Sequence, residues 1–161
     1  MSKFSSSCAF EKVIATSKHQ TVDSLLDSWH KAAANSDLRE FFGCFHNPNS
    51  RFLGTDASEN WTAQEAYTVF KPHFEKSNSA WVYEPIRGTR RFDIIQIGNV
   101  AIAMFDELLI SQSFKCRTRG NGTLILDKGF WYIGQYYLSF PIPNPLAKDM
   151  CNKIGNYNYN Y

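Results

Sequence analysis

Arg119-Gly-Asn-Gly-Thr-Leu-Ile-Leu-Asp-Lys-Gly-Phe-Trp-Tyr-Ile-Gly-Gln-Tyr-Tyr-Leu-Ser-Phe-Pro-Ile-Pro-Asn144 reads as two β-strands about a tight Asp127-Lys128-Gly129 turn. Asp-x-Gly between apolar runs is a hairpin signal, because glycine takes the positive φ that closes the turn. Pro141 and Pro143 have no N–H to give to a ladder, so the second strand stops there or lies at an edge.

Working upstream, the apolar pattern keeps a period of two as far back as Ala80. Strand candidates are Trp81 to Ile86, Arg91 to Ile97, Val100 to Ile110, Ser113 to Arg119, Thr123 to Leu126 and Phe130 to Phe140, with Gly98-Asn99 and Gly120-Asn121-Gly122 as further turn or bulge signals. Before Ala80 the period is helical. Thr21 caps a helix with Val22, Leu25, Leu26, Trp29 and Ala33 on one face; a short helix runs from Ser36 or Asp37 to Gly43. Arg51 to Asp56 is a short strand running into a turn, and Thr62-Ala-Gln-Glu65 has the form of a capping box opening a third helix with Ala66, Val69, Phe70 and Phe74 inward. Helices first and an antiparallel meander after them define an α+β class: three N-terminal helices packed on one face of a strongly curved antiparallel sheet, a cone with a pocket at its wide end. Residues 1–19 read as a flexible arm and residues 147–161, ending in an Asn/Tyr repeat, as an irregular tail.

The chain of 161 residues is one domain's worth, with 43% hydrophobic and 16% aromatic residues and a net charge of +2. There is no basic stripe for nucleic acid and no apolar run of about 18 residues for a membrane. Cys8, Cys44, Cys116 and Cys151 form no C-x-x-C pair and read as free thiols. Cys44-Phe45-His46 is half a metal site at most, with no other ligands at a usual spacing, so no metal is expected. The N-terminus lacks a secretory signal; the cytoplasm is the expected compartment, with a mitochondrial presequence left open. The sequons at Asn60 and Asn121 are read as chance.

Val100 to Ile110 is the central strand, and each of its faces carries one carboxylate, Asp106 or Glu107, in an apolar row. Alternation points them in opposite directions, so they are not a paired-carboxylate site. In one reading, whichever faces the cone is desolvated, its pKa raised, and fit for proton abstraction beside a carbonyl. In the other it forms a structural ion pair with Arg91, Arg117 or Arg119. His19, His30, His46 and His73 fall in helical or loop segments with none beside a plausible nucleophile, so Ser-His or Cys-His catalysis is not supported.

The ordered motifs Phe52-Leu-Gly-Thr-Asp-Ala-Ser-Glu-Asn-Trp61, Phe70-Lys-Pro-His-Phe74, Trp81-Val-Tyr-Glu-Pro85, Ala103-Met-Phe-Asp-Glu107, Arg119-Gly-Asn-Gly-Thr-Leu124 and Trp131-Tyr-Ile-Gly-Gln-Tyr136 resemble the SnoaL-like branch of the nuclear transport factor 2-like superfamily over roughly residues 20–146. The resemblance implies a cone-shaped fold, a homodimer through the open sheet face, and a pocket that binds a small apolar or carbonyl-containing ligand without a cofactor. Where relatives are catalytic they are isomerases or cyclases in which a pocket carboxylate shuttles a proton, a role falling on Asp106 or Glu107. Candidate ligand-binding residues are Asp56, Trp61, Tyr83, Met104, Arg119, Gln135 and Tyr137. The branch commonly has Trp where Met104 stands and His or Asn where Tyr137 stands, which tilts the reading towards binding. The alternative is a non-catalytic dimerisation or assembly module.

Overall fold

The computed structural model describes residues 9–76 and 80–157. Helices α1 (Val22–Ala34) and α2 (Leu38–Gly43) precede strands β1 (Arg51–Leu53) and β2 (Asn60–Thr62), and helix α3 (Ala63–Lys76) follows. Strands β3 (Tyr83–Pro85), β4 (Arg91–Ile97), β5 (Val100–Ser111), β6 (Cys116–Asp127) and β7 (Phe130–Ser139) come next, and a 3-10 turn, Asn144–Leu146, leads into helix α4 (Ala147–Gly155). All seven strands form one sheet in the order β2-β1-β7-β6-β5-β3, with β4 also on β5. Every pairing is antiparallel except β1 on β7, which is parallel. Among the described residues no helix is long and apolar enough to cross a membrane.

The helix starts follow from their caps. The Thr21 hydroxyl accepts from Ser24 N at 3.1 Å, and the Asp37 carboxylate accepts from Glu40 N at 3.0 Å. Thr62 and Glu65 form the reciprocal box, at 3.2 Å and 2.8 Å. The buried stripe of α1 is Val22, Leu25, Leu26, Trp29, Ala33 and, among them, His30. On α3 the stripe is Ala63, Ala66, Tyr67, Phe70 and Phe74, while Val69, expected inward, is exposed.

The hairpin turns lie at Gly98, at Lys115 and at Lys128-Gly129, where φ is positive. The Gly120-Asn121-Gly122 stretch is not a turn. It runs through the middle of β6, and the pairing with β7 slips between Thr123 and Leu124. This bulge changes which β7 residues face the helices: Ile133 is inward across from Leu124, but Tyr136 is inward across from Gly122. Both glycines exist to admit that packing. A Cβ on Gly120 would lie 1.9 Å from the Tyr136 hydroxyl, and one on Gly122 would lie 1.9 Å from the Gln135 carbonyl.

Two chain-end expectations change. Residues 9–19 are not a loose arm: Phe10 is 1% exposed, its ring 5.2 Å from Tyr67 and 6.1 Å from Phe42, and the His19 carbonyl accepts from Trp131 N. Residues 147–155 are helical, although nothing on α4 is buried. Leu146, at the end of the 3-10 turn, and Met150 and Ile154 on α4 recur every four but rest on no core, so they leave only a weak sequence pattern. The Asn/Tyr repeat beyond Tyr157 lies outside the described residues, as do residues 1–8.

Phe10→Ala is expected to cost about 3–5 kcal/mol, as for other fully buried phenylalanines, in chemical denaturation followed by circular dichroism. A loss under about 1 kcal/mol would return residues 9–19 to the status of an arm.

Candidate functional site

Alternation along β5 turns Ala101, Ala103, Phe105, Glu107 and Leu109 towards the helices, and of the two adjacent carboxylates it is Glu107 that enters the cone, 0% exposed. Four elements meet on it. Its Oε1 accepts from His30 Nε2 on α1 at 2.6 Å and from the Tyr136 hydroxyl on β7 at 3.2 Å. Its Oε2 accepts from the Arg90 guanidinium, in the turn before β4, at 2.8 and 2.9 Å. Arg90 in turn reaches Asp23 and Asp27 on α1, both at 2.8 Å. The bare Gly120 below leaves the space through which the tyrosine hydroxyl reaches the carboxylate.

Burial alone would raise the Glu107 carboxyl, but hydrogen bonds and charge from His30 and Arg90 outweigh it and hold the group below the usual carboxylate range. For Arg90, burial works against the charge, and Asp23, Glu107 and Asp27 overcome it and raise its pKa. Burial pushes the Tyr136 hydroxyl well up, and the negative charge of Glu107 pushes it further. Glu107 is therefore an ionised carboxylate inside a shell of donors, not a carboxylic acid poised to exchange its proton.

Beside this network lies a cavity of about 370 Å³. Its floor holds Trp29, His30, Phe41 and Tyr136; Phe52, Trp61, Phe70 and Trp81 form the walls; Gly54, Thr55, Glu59, Tyr83, Ser113 and Phe114 also line it. The rings brace one another. Trp29 stacks on Phe41 at 4.8 Å, Phe52 lies parallel to Trp61 at 6.3 Å, and Phe70 stands edge-on to Trp81 at 4.8 Å. A shallower groove, lined by Leu53, Asp56, Ala57, Asn60 and Tyr137, shares Gly54, Thr55 and Glu59 with the cavity.

The sequence-derived residues separate accordingly. Trp61 and Tyr83 line the cavity, and Asp56 and Tyr137 line the adjoining groove. Asp106 and Arg119 do not reach it: they pair with each other at 3.2 Å on the outer face, about half exposed. Met104 is 46% exposed on that face, and Gln135 is exposed as well, because both fall on the outward parity of their strands. The raised pKa anticipated for an inward carboxylate is reversed at Glu107, since Arg90 and His30 accompany it inward. Sequence reasoning did not single out His30, Arg90 or Glu59. His30 was accessible to it, lying four residues after Leu26 on the same stripe. Arg90 was not, because a turn residue has no parity to follow.

A second polar cluster lies outside the cavity lining. Glu40 accepts from Ser17 at 2.9 Å, from Ser28 at 2.8 Å and pairs with His19 at 2.8 Å, with the Cys44 thiol 3.8 Å away. Burial raises the Cys44 thiol well above its ordinary value, and the Glu40 charge adds to this. The carboxylate is already satisfied by three donors, and His46 turns instead to Asp127 at 3.5 Å.

A single open curved sheet with helices packed on it is the architecture of nuclear transport factor 2-like proteins. Two solved structures of that class superpose on the chain, a protein of unknown function from Pseudomonas putida (TM-score 0.55, 11% identity, 76% of this chain and 86% of that one) and another from Shewanella oneidensis (0.54, 13%, 74% and 96%), as does a putative calcium/calmodulin-dependent protein kinase type II association domain from Thiobacillus denitrificans (0.54, 11%, 79% and 99%). At such identities the likeness is one of fold. The chain belongs to the SnoaL-like domain family, whose model matches residues 22–143. No curated protein matches the sequence.

Removing the Glu107 charge tests the network. A carboxyl whose folded pKa is lowered stabilises the fold in full above its ordinary value of 4.5, and that contribution disappears as pH falls through the lowered value. Glu107→Gln is expected to cost about 3 kcal/mol at pH 7, leaving Arg90 without its buried counterion. Its stability should also fall less steeply than that of the unsubstituted protein below pH 4.5. Parallel acid limbs in denaturant titrations would disprove the assignment.

Proposed function

We propose that the cone binds a small, largely apolar ligand, ring-bearing or carbonyl-containing, in the aromatic cavity. The observation carrying this reading is the cavity itself, about 370 Å³ and walled by aromatic rings that hold one another in place. Its volume is within the range of small-molecule sites, whose walls are mostly apolar with a few convergent polar groups. Here those groups are His30 at the floor and Thr55, Ser113 and Tyr83 among the other lining residues.

The reading is binding, not proton transfer by the strand carboxylate. A general base needs access to its substrate and a pKa near the working pH. Glu107 has no exposed surface, and its oxygens are occupied by His30, Tyr136 and Arg90. Asp106 is committed to Arg119 on the other face.

Intrinsic tryptophan fluorescence titrated with 2-acetylnaphthalene provides the test, since Trp29, Trp61 and Trp81 all line the cavity. Saturable quenching with 1:1 stoichiometry in native mass spectrometry is expected, and Ala33→Phe or Ala80→Phe, which place a ring in the cavity, should weaken it at least roughly tenfold, the equivalent of about 1.4 kcal/mol. Absence of saturable binding across a panel of apolar aryl ketones and hydrocarbons would overturn the reading.

A specific surface favours a second property, a homodimer through the sheet. The outward pairs Ile97–Val100 and Ile95–Ile102, with Met104 next along β5, form an apolar patch at one end of β4 and β5, with Ile97 61% exposed. Light scattering after size exclusion should give twice the chain mass, and Ile97→Asp should give a monomer with an unchanged circular dichroism spectrum. A monomeric unsubstituted protein at micromolar concentration would refute it.

A further inference from the structure

The charge of the cavity lining narrows the ligand, on the footing that the cavity is a binding site. No Lys or Arg lines it, its one histidine, His30, is paired with the buried Glu107, and its single carboxylate is Glu59. Glu59 and Asp56 together line the adjoining groove, again with no basic residue. The mouth is thus acidic in a chain whose net charge is +2. Neither carboxylate is spent on a cation: among the described residues, no ion pair includes Glu59 or Asp56. Asp56 holds its own turn, accepting from Ser58 N at 2.8 Å, and Glu59 accepts from Asp56 N at 3.1 Å. These bonds fix the rim but leave its negative charge uncompensated. That charge reaches across the mouth to Tyr83, whose hydroxyl is raised first by burial and then by Glu59.

The rest of the lining is aromatic: Phe70 stands edge-on to Trp61 at 5.3 Å and to Trp81 at 4.8 Å, and Phe52 lies parallel to Trp61 at 6.3 Å. A ring face is electron-rich and attracts a cation, most strongly when the ring belongs to tryptophan and the site is dry. A carboxylate at the entrance acts in the same direction, and an anion would meet repulsion from both. Apolar walls alone would be indifferent to the sign of a ligand's charge, and this lining is not.

We infer that the ligand is an organic cation, a protonated or quaternary amine carried on an apolar ring body, with the ammonium group against Glu59 and the neighbouring ring faces and the body in the cavity.

Three probes on one naphthylmethyl body separate the possibilities: (naphthalen-2-yl)methyl-trimethylammonium, its uncharged carbon isostere 2-neopentylnaphthalene, and the anion 2-naphthylacetate. The cation should bind at least roughly tenfold more tightly than the isostere, and the anion more weakly than either. Raising NaCl should weaken the cation and leave the isostere unaffected. Glu59→Gln, whose amide oxygen can still accept from Asp56 N, should reduce the preference of the cation over the isostere to about twofold. Equal affinity for cation and isostere, or a preference that survives Glu59→Gln and salt, would overturn the inference while the cavity still binds ligands. Failure of all three probes together with 2-acetylnaphthalene would instead remove the binding reading on which it rests.

Discussion

The ionised carboxylate of Glu107 is the constraint around which the cone is assembled. A charge removed from water costs several kcal/mol unless its lone pairs are met, and every partner that meets these comes from a different part of the chain. His30 fixes α1 against the sheet, Tyr136 fixes β7 against β5, and Arg90 ties the turn before β4 to the outer side of α1 through Asp23 and Asp27. The positions of Gly120 and of the bulge on β7 follow from it, since the hydroxyl needs an unobstructed path and Tyr136 needs inward parity. The aromatic floor of the cavity is then set, because Trp29 and His30 are neighbours on α1 and Tyr136 packs against both rings.

That arrangement separates two properties that a single pocket carboxylate would combine. The charge that organises the fold is sealed behind His30 and Tyr136, while the charge that a ligand would meet, Glu59, lies on a short loop between β1 and β2. Loops bear functional groups on a fixed scaffold because they can vary without disturbing the core. The cavity can therefore change its chemistry at residues 54–59 without unbalancing the buried network.

Much of the architecture could be read from residue order alone, for local reasons. Thr21, Asp37 and the Thr62/Glu65 box announce the helix starts, and the period change near Ala80 announces the sheet. What escaped depends on contacts distant in sequence. Gly120-Asn-Gly122 has turn composition, and only the tyrosine lying over it from β7 shows why the strand needs glycine there. The two-fold parity of β5 separated Asp106 from Glu107 but could not say which was inward, since both rows are equally apolar. Trp61 and Tyr83 reach the cavity, whereas Met104, Arg119 and Gln135 share motifs with inward residues yet have outward parity. Arg90, adjacent in sequence to an exposed arginine, is distinguishable from it only by its carboxylate partners.

The slip between Thr123 and Leu124 divides the hairpin of β6 and β7 into two registers, one on each side of it. Towards the turn, Leu124 and Ile133 face the helices; towards the open end, Gly122 and Tyr136 do. In an unbroken ladder, a one-residue insertion or deletion would reverse every side chain beyond it. Here one side already runs out of phase with the other, so the bulge works as a movable joint. A single-residue length change that shifted the joint along the strand would exchange the faces of only the few residues it passed.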